Sequence, residues 1–406
     1  MEKSICNRSR RDVITTLIGL LGTALLSGCC SNQVRNSVPD TWDSLCSGSK
    51  NEGQVPSVDD SLVSIGAAIR VYSNAPTPTE IWKDVFDESG IRALRTLVPK
   101  MDELAFRDGP EEILRAFPAY LLFALLYHRR RSETDYFASL CPDLISSWKM
   151  AVLQRQYTLS HLFCTTTSAW DAQRKSMVMM RSLDWPLSPY LGNATRKLDF
   201  IGDGRIATVA GVLGMAGVLT AVRHGYSVAI NYAPGRFSAK LRSDPTFLLR
   251  DLVENPEVDT FEQALKTVKK WHVGAPCFVS LCGITYGEAC VIEFGPNSQN
   301  PNVRNAENGM IVQTNHYDPK GPFSKYNPPQ VEGRTDLELY CARLLSTSVQ
   351  RRESVESALL NAPNANKALF DAYRKPPVWN NETAQLVFME PQTGHMELFA
   401  RRMLKS

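Results

Sequence analysis

The stretch LFCTTTSAWDAQRKSMVMMRSLDW, residues 162–185, decides how the rest of this chain is interpreted. Cys164 opens a run of Thr and Ser, a polar segment follows, and an apolar run then leads into Arg181 and Asp184. Two short strand-like runs on either side of a turn predict a β-hairpin. The hairpin would bring a thiol, a guanidinium and a carboxylate close together.

These three groups predict nucleophilic chemistry if the peptide bond between Phe163 and Cys164 is cut. Cys164 would then carry a free α-amine with a pKa of about 8, which suits a general base near neutrality. Arg181 would favour the thiolate and orient Asp184, and Asp184 would hold the α-ammonium group. The pattern therefore predicts an N-terminal-nucleophile (Ntn) hydrolase.

Each of these residues also has an ordinary structural interpretation. Taken alone, Cys164 is more often a small core residue, and Arg181 with Asp184 is an ordinary hairpin ion pair worth under about 1 kcal/mol. The interpretation as a site depends on the residues occurring together.

Composition limits the class of protein. The chain has 406 residues, 43% of them apolar and 21% charged, which is typical of a globular protein with one large core or two domains. A net charge of +3 and the absence of a basic stripe argue against nucleic-acid binding. The six histidines are scattered and no Cys-x-x-Cys occurs, so we expect no metal and no cofactor.

The N-terminus has the features of an export signal. Arg10-Arg11 precede a short apolar region from Val13 to Leu26, and Leu26-Ser27-Gly28-Cys29 resembles a bacterial lipobox. This predicts a signal peptide over 1–28, lipidation of Cys29 and a tether over 29–60. The alternative is a transmembrane anchor, but the apolar run is shorter than the ~20 residues that a span needs. Because no Asp follows Cys29, we expect a cell-envelope lipoprotein, on the periplasmic face of the outer membrane in a Gram-negative cell.

The remaining chain divides into a helical region over 61–163 and a strand-rich region over 164–406. The apolar segment Phe117–Tyr127 predicts a buried helix or a face that contacts lipid. Strand pairs between helical layers predict an α+β sandwich. The candidate strands are Met177–Met180, Arg205–Val209, Tyr226–Asn231, Cys277–Cys282, Ala289–Phe294, Met310–Thr314 and Ala384–Met389. The candidate helices in the same region are Thr246–Glu254, Phe261–Trp271, Thr335–Leu345 and Val355–Leu360.

Several motifs in order resemble acid ceramidase and the related acid amidase that hydrolyses N-acylethanolamines, both Ntn hydrolases. Any one motif is a weak match, but six in the family's order are specific. They are Cys-Thr-Thr-Thr from Cys164 with Arg181-Ser-Leu-Asp-Trp, Gly217-Val-Leu-Thr leading to Tyr226-Ser-Val-Ala-Ile-Asn, Gly287-Glu-Ala-Cys-Val-Ile, Val312-Gln-Thr-Asn, Gly333-Arg-Thr, and Pro377-Val-Trp-Asn-Asn-Glu-Thr.

The resemblance implies an αββα sandwich and self-cleavage between Phe163 and Cys164. The products would be a lipidated α chain and a catalytic β chain, joined as a heterodimer. By the same resemblance, a disulfide between Cys46 and Cys341 would link the two chains. The sequence departs from the family pattern at Tyr232, where a glutamate is common, and at His316, which interrupts a Thr-Asn-Tyr-Asp run.

The resemblance also completes the predicted site. The side-chain amide of Asn315 is the candidate oxyanion donor, and Arg334 would steady the developing charge; without the family context, Asn315 is a turn residue and Arg334 a solvated helix N-terminal residue. The implied substrate is a lipid-like fatty N-acyl amide, whose identity stays open between ceramide, N-acylethanolamine, acyl-homoserine lactone, acyl-amino acid and bile salt. Two alternatives remain: an acyltransferase that passes the same acyl-thioester to an amine, and a non-enzymatic binding lipoprotein.

Overall fold

Two β-sheets form the centre of the computed structural model of this chain. The structure describes residues 62–106, 128–159, 163–185, 187–202, 204–234, 243–296, 300–327, 336–360, 362 and 364–402. The strands among them are β1 (Leu62–Ile65), β2 (Ile69–Tyr72), β3 (Phe163–Asp171), β4 (Ser176–Asp184), β5 (Thr195–Gly202), β6 (Arg205–Val212), β7 (Thr220–Arg223), β8 (Tyr226–Tyr232), β9 (Cys277–Cys282), β10 (Ala289–Phe294), β11 (Asn302–Asn305), β12 (Met310–Gln313), β13 (Thr383–Glu390) and β14 (His395–Arg401).

One sheet has the strand order β1-β14-β13-β4-β3-β12 and the other β11-β10-β9-β8-β7-β6-β5-β2. Neighbouring strands are antiparallel except for β2 and β5, which are parallel. The helices among the described residues are α1 (Pro78–Trp82), α2 (Glu88–Phe106), α3 (His128–Ser139), α4 (Ser147–Leu159), α5 (Ser188–Ala194), α6 (Pro245–Glu254), α7 (Phe261–Val268), α8 (Asp336–Leu359) and α9 (Ala365–Tyr373).

The hairpin β3–β4 lies inside the six-stranded sheet, where nearly every side chain of both strands is buried. β-Branched and apolar residues suit strands that are covered on both faces. At the turn, the Asp171 side chain accepts the backbone N–H groups of Gln173 and Arg174, and Lys175 adopts a left-handed φ of 51°. This local chemistry fixes the register of the hairpin.

Three apolar clusters define the layers. One, including Met179, Ala229 and Phe278, lies between the sheets. A second packs the outer face of the six-stranded sheet against α8 and α9, and a third packs the eight-stranded sheet against the other helices. The layer order is helix, sheet, sheet, helix, so the predicted α+β sandwich is confirmed.

Residues 62–163 are not helical throughout. β1 pairs with β14 at the edge of one sheet, and β2 pairs with β5 at the edge of the other. Helix α3 is joined to α6 by a buried ion pair of Glu133 with Arg250, 2.7 Å apart. The regions before and after residue 163 therefore share both sheets and the core.

The helix predictions differ from the structure in two places. The segments predicted as helices over Thr335–Leu345 and Val355–Leu360 belong to the single helix α8. Within the region predicted to be helical over 61–163, a turn separates α3 from α4, which begins at Ser147. Pro142 explains the interruption, because proline disfavours helical geometry at the residue before it.

Several predictions fall on residues outside the described part of the chain. They concern the signal peptide and tether, Cys29, Cys46, the segment Phe117–Tyr127 and Arg334. Cys341 falls within α8, but its side chain is not among those described. Among the described cysteines, Cys141, Cys164, Cys277, Cys282 and Cys290 are buried free thiols. None of the described helices is long and apolar enough to cross a bilayer.

Candidate active site

The Cys164 thiol and the Arg181 guanidinium meet between the two sheets. Cys164 pairs with Leu183 and Thr166 pairs with Arg181, so Cys164 and Arg181 project from the same face of the hairpin. Arg181 Nη2 lies 3.2 Å from Cys164 Sγ and also donates to the backbone carbonyl of Ile230 at 2.9 Å. Its Nη1 donates to the Thr220 hydroxyl at 2.6 Å. The second sheet thus fixes the guanidinium that faces the thiol.

Burial determines the charge state of this thiol. Cys164 is completely buried, and burial raises the pKa of its thiol; the Arg181 charge opposes this rise, and Asp184 adds to it. The peptide bond before Cys164 is intact, so this structure is that of the uncleaved chain. In that form the thiol is neutral near pH 7 and closed to solvent.

Asp184 lies on the opposite face of the hairpin, where it pairs with Phe163. The prediction that Arg181 orients this carboxylate is wrong, because the register directs the two side chains to different faces. Arg351 Nη1 instead lies 3.8 Å from Asp184 Oδ2. Burial raises the pKa of the Asp184 carboxyl, and the Arg351 charge opposes that rise. Thr383 and Asn380 also oppose the rise as hydrogen-bonding neighbours of the carboxylate, although their geometry is poor.

Asn315 holds the backbone nitrogen of Cys164. Strand β12 pairs Gln313 with Thr166, and two further residues in this register place Asn315 opposite Cys164. Asn315 Oδ1 accepts the Cys164 N–H at 2.9 Å, and Asn315 Nδ2 donates to the Tyr232 carbonyl at 2.9 Å. In the uncleaved form, the oxygen of this amide therefore faces the bond that would be cut. Its proposed role as an oxyanion donor stays a prediction.

Arg351 is the site residue that sequence analysis missed. It is 1% exposed, and it donates to the Cys164 carbonyl at 2.7 Å, to Thr165 Oγ1 at 2.9 Å and to Asn315 Oδ1 at 2.9 Å. In the sequence, Arg351 resembles a solvated helix residue because Arg352 and Glu353 follow it. The signal was its spacing with Ser348 and Val355, which places all three on one buried stripe of α8.

A second polar cluster, formed by Thr314, His316 and Ser348, binds the backbone N–H of Asn315. Ser348 Oγ accepts the Asn315 N–H at 2.8 Å and lies 2.8 Å from His316 Nδ1 and 2.9 Å from Thr314 Oγ1. Helix α8 thereby contacts both the main chain and the side chain of Asn315, through Ser348 and Arg351. His316, a departure from the family pattern, is part of this contact.

The structure therefore places Cys164, Arg181 and Asn315 together on one face of the hairpin, with Asp184 on the other face. Arg334 lies outside the described residues. Within the described part of the chain, no group of three or more His, Cys, Asp or Glu side chains converges in the manner of metal ligands. The arrangement holds the nitrogen, the carbonyl and the thiol of residue 164 separately, each by a different element.

Comparisons with known proteins find similarity among solved structures. No protein-family model matches the sequence, and no curated protein matches it. Among solved structures, the chain is similar to an N-acylethanolamine-hydrolysing acid amidase orthologue from Caenorhabditis elegans, with 22% identity and a TM-score of 0.45. The similarity covers 56% of this chain and 93% of the other.

Proposed function

We propose that this chain is an Ntn cysteine amidase that cleaves itself between Phe163 and Cys164 and then hydrolyses a fatty N-acyl amide. The proposal rests on two contacts of Cys164. Arg181 Nη2 lies 3.2 Å from its thiol, and Asn315 Oδ1 accepts its backbone N–H at 2.9 Å. A structural core cysteine needs neither contact. A nucleophile whose own nitrogen becomes a base needs both.

Self-cleavage would begin with attack of Cys164 Sγ on the carbonyl carbon of Phe163. The C–N bond breaks, the thiol proton passes to the Cys164 nitrogen, and a thioester joins Phe163 to Sγ. Water then hydrolyses the thioester, which leaves a carboxylate on Phe163 and a free thiol and α-amine on Cys164. Asn315 Oδ1 contacts the leaving nitrogen throughout this step.

Amide hydrolysis by the cleaved chain would use the same atoms. The α-amine takes the proton of the thiol, and the thiolate attacks the substrate carbonyl. The α-ammonium group returns the proton to the leaving amine, which gives an acyl-thioester that water hydrolyses. Arg181 stabilises the thiolate, and Asp184 accepts hydrogen bonds from the α-ammonium group. Asn315 and a backbone N–H are the proposed oxyanion donors.

The substrate class and the location rest on the sequence. The motif series around Cys164, Asn315 and Trp379 favours a lipid-like N-acyl amide, and the lipobox at Cys29 favours a membrane-tethered lipoprotein of the cell envelope. The product would be an α/β heterodimer, and a Cys46–Cys341 disulfide would make the association covalent. Strands β1 and β2 and helix α3 would hold the two chains together even without it.

The test is the intact mass of the purified protein over a range of pH, for wild type, Cys164→Ala and Cys141→Ala. Cys141 is a second buried free cysteine, so its variant controls for the loss of a core thiol. The proposal expects a break at Phe163/Cys164 in wild type and Cys141→Ala only. Cleaved protein would then release fatty acid from a panel of N-acyl amides.

Two other outcomes identify the alternatives. If an added amine raises turnover and appears in a new amide, the enzyme is an acyltransferase. If wild type stays intact at every pH and hydrolyses no amide, the amidase proposal is refuted and a binding lipoprotein remains. Electrophoresis of cleaved protein without reductant tests the disulfide, since separate chains would exclude it.

A further inference from the structure

We infer that Arg351 is a positioning residue, which holds the Asn315 amide with its oxygen on the Cys164 nitrogen. The catalytic consequence of this inference rests on the proposed function. The contact itself does not.

The geometry of Arg351 is that of a clamp around residue 164. Nη1 binds the Cys164 carbonyl at 2.7 Å and Thr165 Oγ1 at 2.9 Å, while Nη2 binds Asn315 Oδ1 at 2.9 Å. A guanidinium presents its N–H groups in a rigid planar fork, so these three acceptors are fixed relative to one another. Arg351 therefore positions the Cys164 carbonyl directly and the Cys164 nitrogen through Asn315.

Arg351 also selects the orientation of the Asn315 amide. An arginine only donates hydrogen bonds, so it stabilises the rotamer that turns the amide oxygen toward it. The carbonyl of Tyr232, which only accepts, binds the amide nitrogen on the other side at 2.9 Å. If Arg351 is removed, Oδ1 loses its charged donor, and the orientation of the amide is fixed less firmly.

The charge of Arg351 matters once the Cys164 nitrogen is an amine. The guanidinium and this nitrogen bind the same oxygen atom, each at 2.9 Å, so they are at most twice that distance apart. A cation this close disfavours a second positive charge and so favours the neutral amine, which is the form that accepts the thiol proton.

The other charged or titratable groups around this position come from four parts of the chain, one of which is His316, just after β12. Asp184, Cys164 and Arg181 belong to the hairpin, Tyr373 to α9, and Glu382 precedes β13. Asp184 acts in the opposite sense to Arg351, because a carboxylate favours the ammonium form. Loss of Arg351 removes the positive charge that acts most strongly on Asp184, so both effects raise the pKa of the α-amine.

Three variants separate charge from geometry. Arg351→Gln removes the charge and the fork, whereas Arg351→Lys keeps the charge and removes the fork. Arg352→Gln is the matched control, because the neighbouring Arg352 is partly exposed and pairs with Glu356 one turn along the helix. We expect self-cleavage at least about tenfold slower in both Arg351 variants and unchanged in Arg352→Gln.

The pH profile of amide hydrolysis distinguishes positioning from a merely structural role. In Arg351→Gln, the acidic limb of the profile should move up by about one pH unit or more. In Arg351→Lys, the limb should stay near that of wild type while kcat falls. If Arg351→Gln matches Arg352→Gln in both the cleavage rate and the limb, the inference is overturned and the proposed function stands.

If wild type neither cleaves itself nor hydrolyses amides, the proposed function is refuted but the contact of Arg351 with Asn315 is not. Amide hydrogen exchange then tests that contact directly. In the Cys164→Ala background the chain stays uncleaved, and NMR on protein with ¹⁵N-labelled alanine follows the amide at position 164. Adding Arg351→Gln should raise the hydrogen exchange of that amide at least about tenfold, because the Asn315 acceptor is no longer fixed. Exchange equal to that of the Arg352→Gln double variant would overturn the inference.

Discussion

Replacing His316 with glutamine tests the electrostatics of the site in one measurement. His316 is 4% exposed, and its Nδ1 lies 2.8 Å from Ser348 Oγ. Burial lowers the pKa of His316 from its ordinary value of 6.5 to about 4, and the charges of Arg352, Arg304 and Arg351 add to this effect. Asp318 opposes it. Protonation of His316 is therefore disfavoured in the folded chain.

The sign of the pH dependence follows from this difference between the folded and unfolded states. Between pH 6.5 and about 4 the unfolded chain binds a proton at His316 that the folded chain does not, so the free energy of unfolding falls as the pH falls. At about 1.4 kcal/mol for each pKa unit, the loss is about 2 kcal/mol at pH 5 and about 3 kcal/mol at pH 4. Above pH 7 the contribution of His316 is constant.

The assay is urea denaturation at pH 7, 5 and 4, carried out in the Cys164→Ala background so that the chain stays in one piece. His316→Gln should lose about 3 kcal/mol less than its parent between pH 7 and pH 4, because other titrating groups are common to both proteins. His395→Gln is the control: the His395 side chain is 51% exposed, so this variant should follow the parent. If the free energy of unfolding falls equally with pH in His316→Gln and its parent, His316 is not buried in its neutral form.

Three further predictions concern stability and reactivity. Glu133→Gln should lower the free energy of unfolding by about 3 kcal/mol, because it removes the buried carboxylate that bonds both Arg130 and Arg250 and leaves Glu254 as the acid they share. Asp143→Asn at an exposed pair should cost under about 1 kcal/mol, and urea denaturation measures both. Gly225→Ala should destabilise far more than Gly204→Ala by thermal unfolding: φ is positive at both, but only at Gly225 would the added Cβ lie 1.8 Å from a backbone oxygen. In uncleaved protein at pH 7, Cys164 should react with iodoacetamide only as fast as the fold opens, and rapid native-state labelling would contradict its burial.

Local sequence was sufficient to predict the central hairpin and its side-chain set. Two strand-length runs of β-branched and apolar residues flank a turn whose first residue, Asp171, supplies the acceptor that the turn needs. The proximity of Cys164 and Arg181 followed from the hairpin alone. Only the predicted contact between Arg181 and Asp184 was wrong, because side chains alternate between the two faces of a strand and the register places Asp184 with Phe163, away from Arg181.

Long-range pairing accounts for what the sequence did not predict. β1 and β2 lie within residues 61–163, which were predicted as a helical region, and each pairs with a distant strand at the edge of a sheet. Arg351 is a similar case: its neighbours in sequence are charged, and its burial depends on the acceptors around Cys164 that α8 meets only in the folded chain. Local patterns report the intrinsic preference for helix or strand, whereas the conformation and burial of these residues depend on their tertiary partners.

The uncleaved site contains an imbalance that cleavage would relieve. Both oxygens of Asp184 and the Nε of Arg181 are buried without a well-formed hydrogen bond among the described residues. Burial of this carboxylate is costly and raises its pKa, and the side chains of Thr383 and Asn380 offset only part of that rise. Cutting the bond before Cys164 would replace one backbone N–H with an ammonium group that has three N–H donors, beside Asn315 Oδ1 and on the hairpin that carries Asp184. The proposed reaction would therefore add hydrogen-bond donors near a buried carboxylate that is poorly hydrogen-bonded in the uncleaved fold.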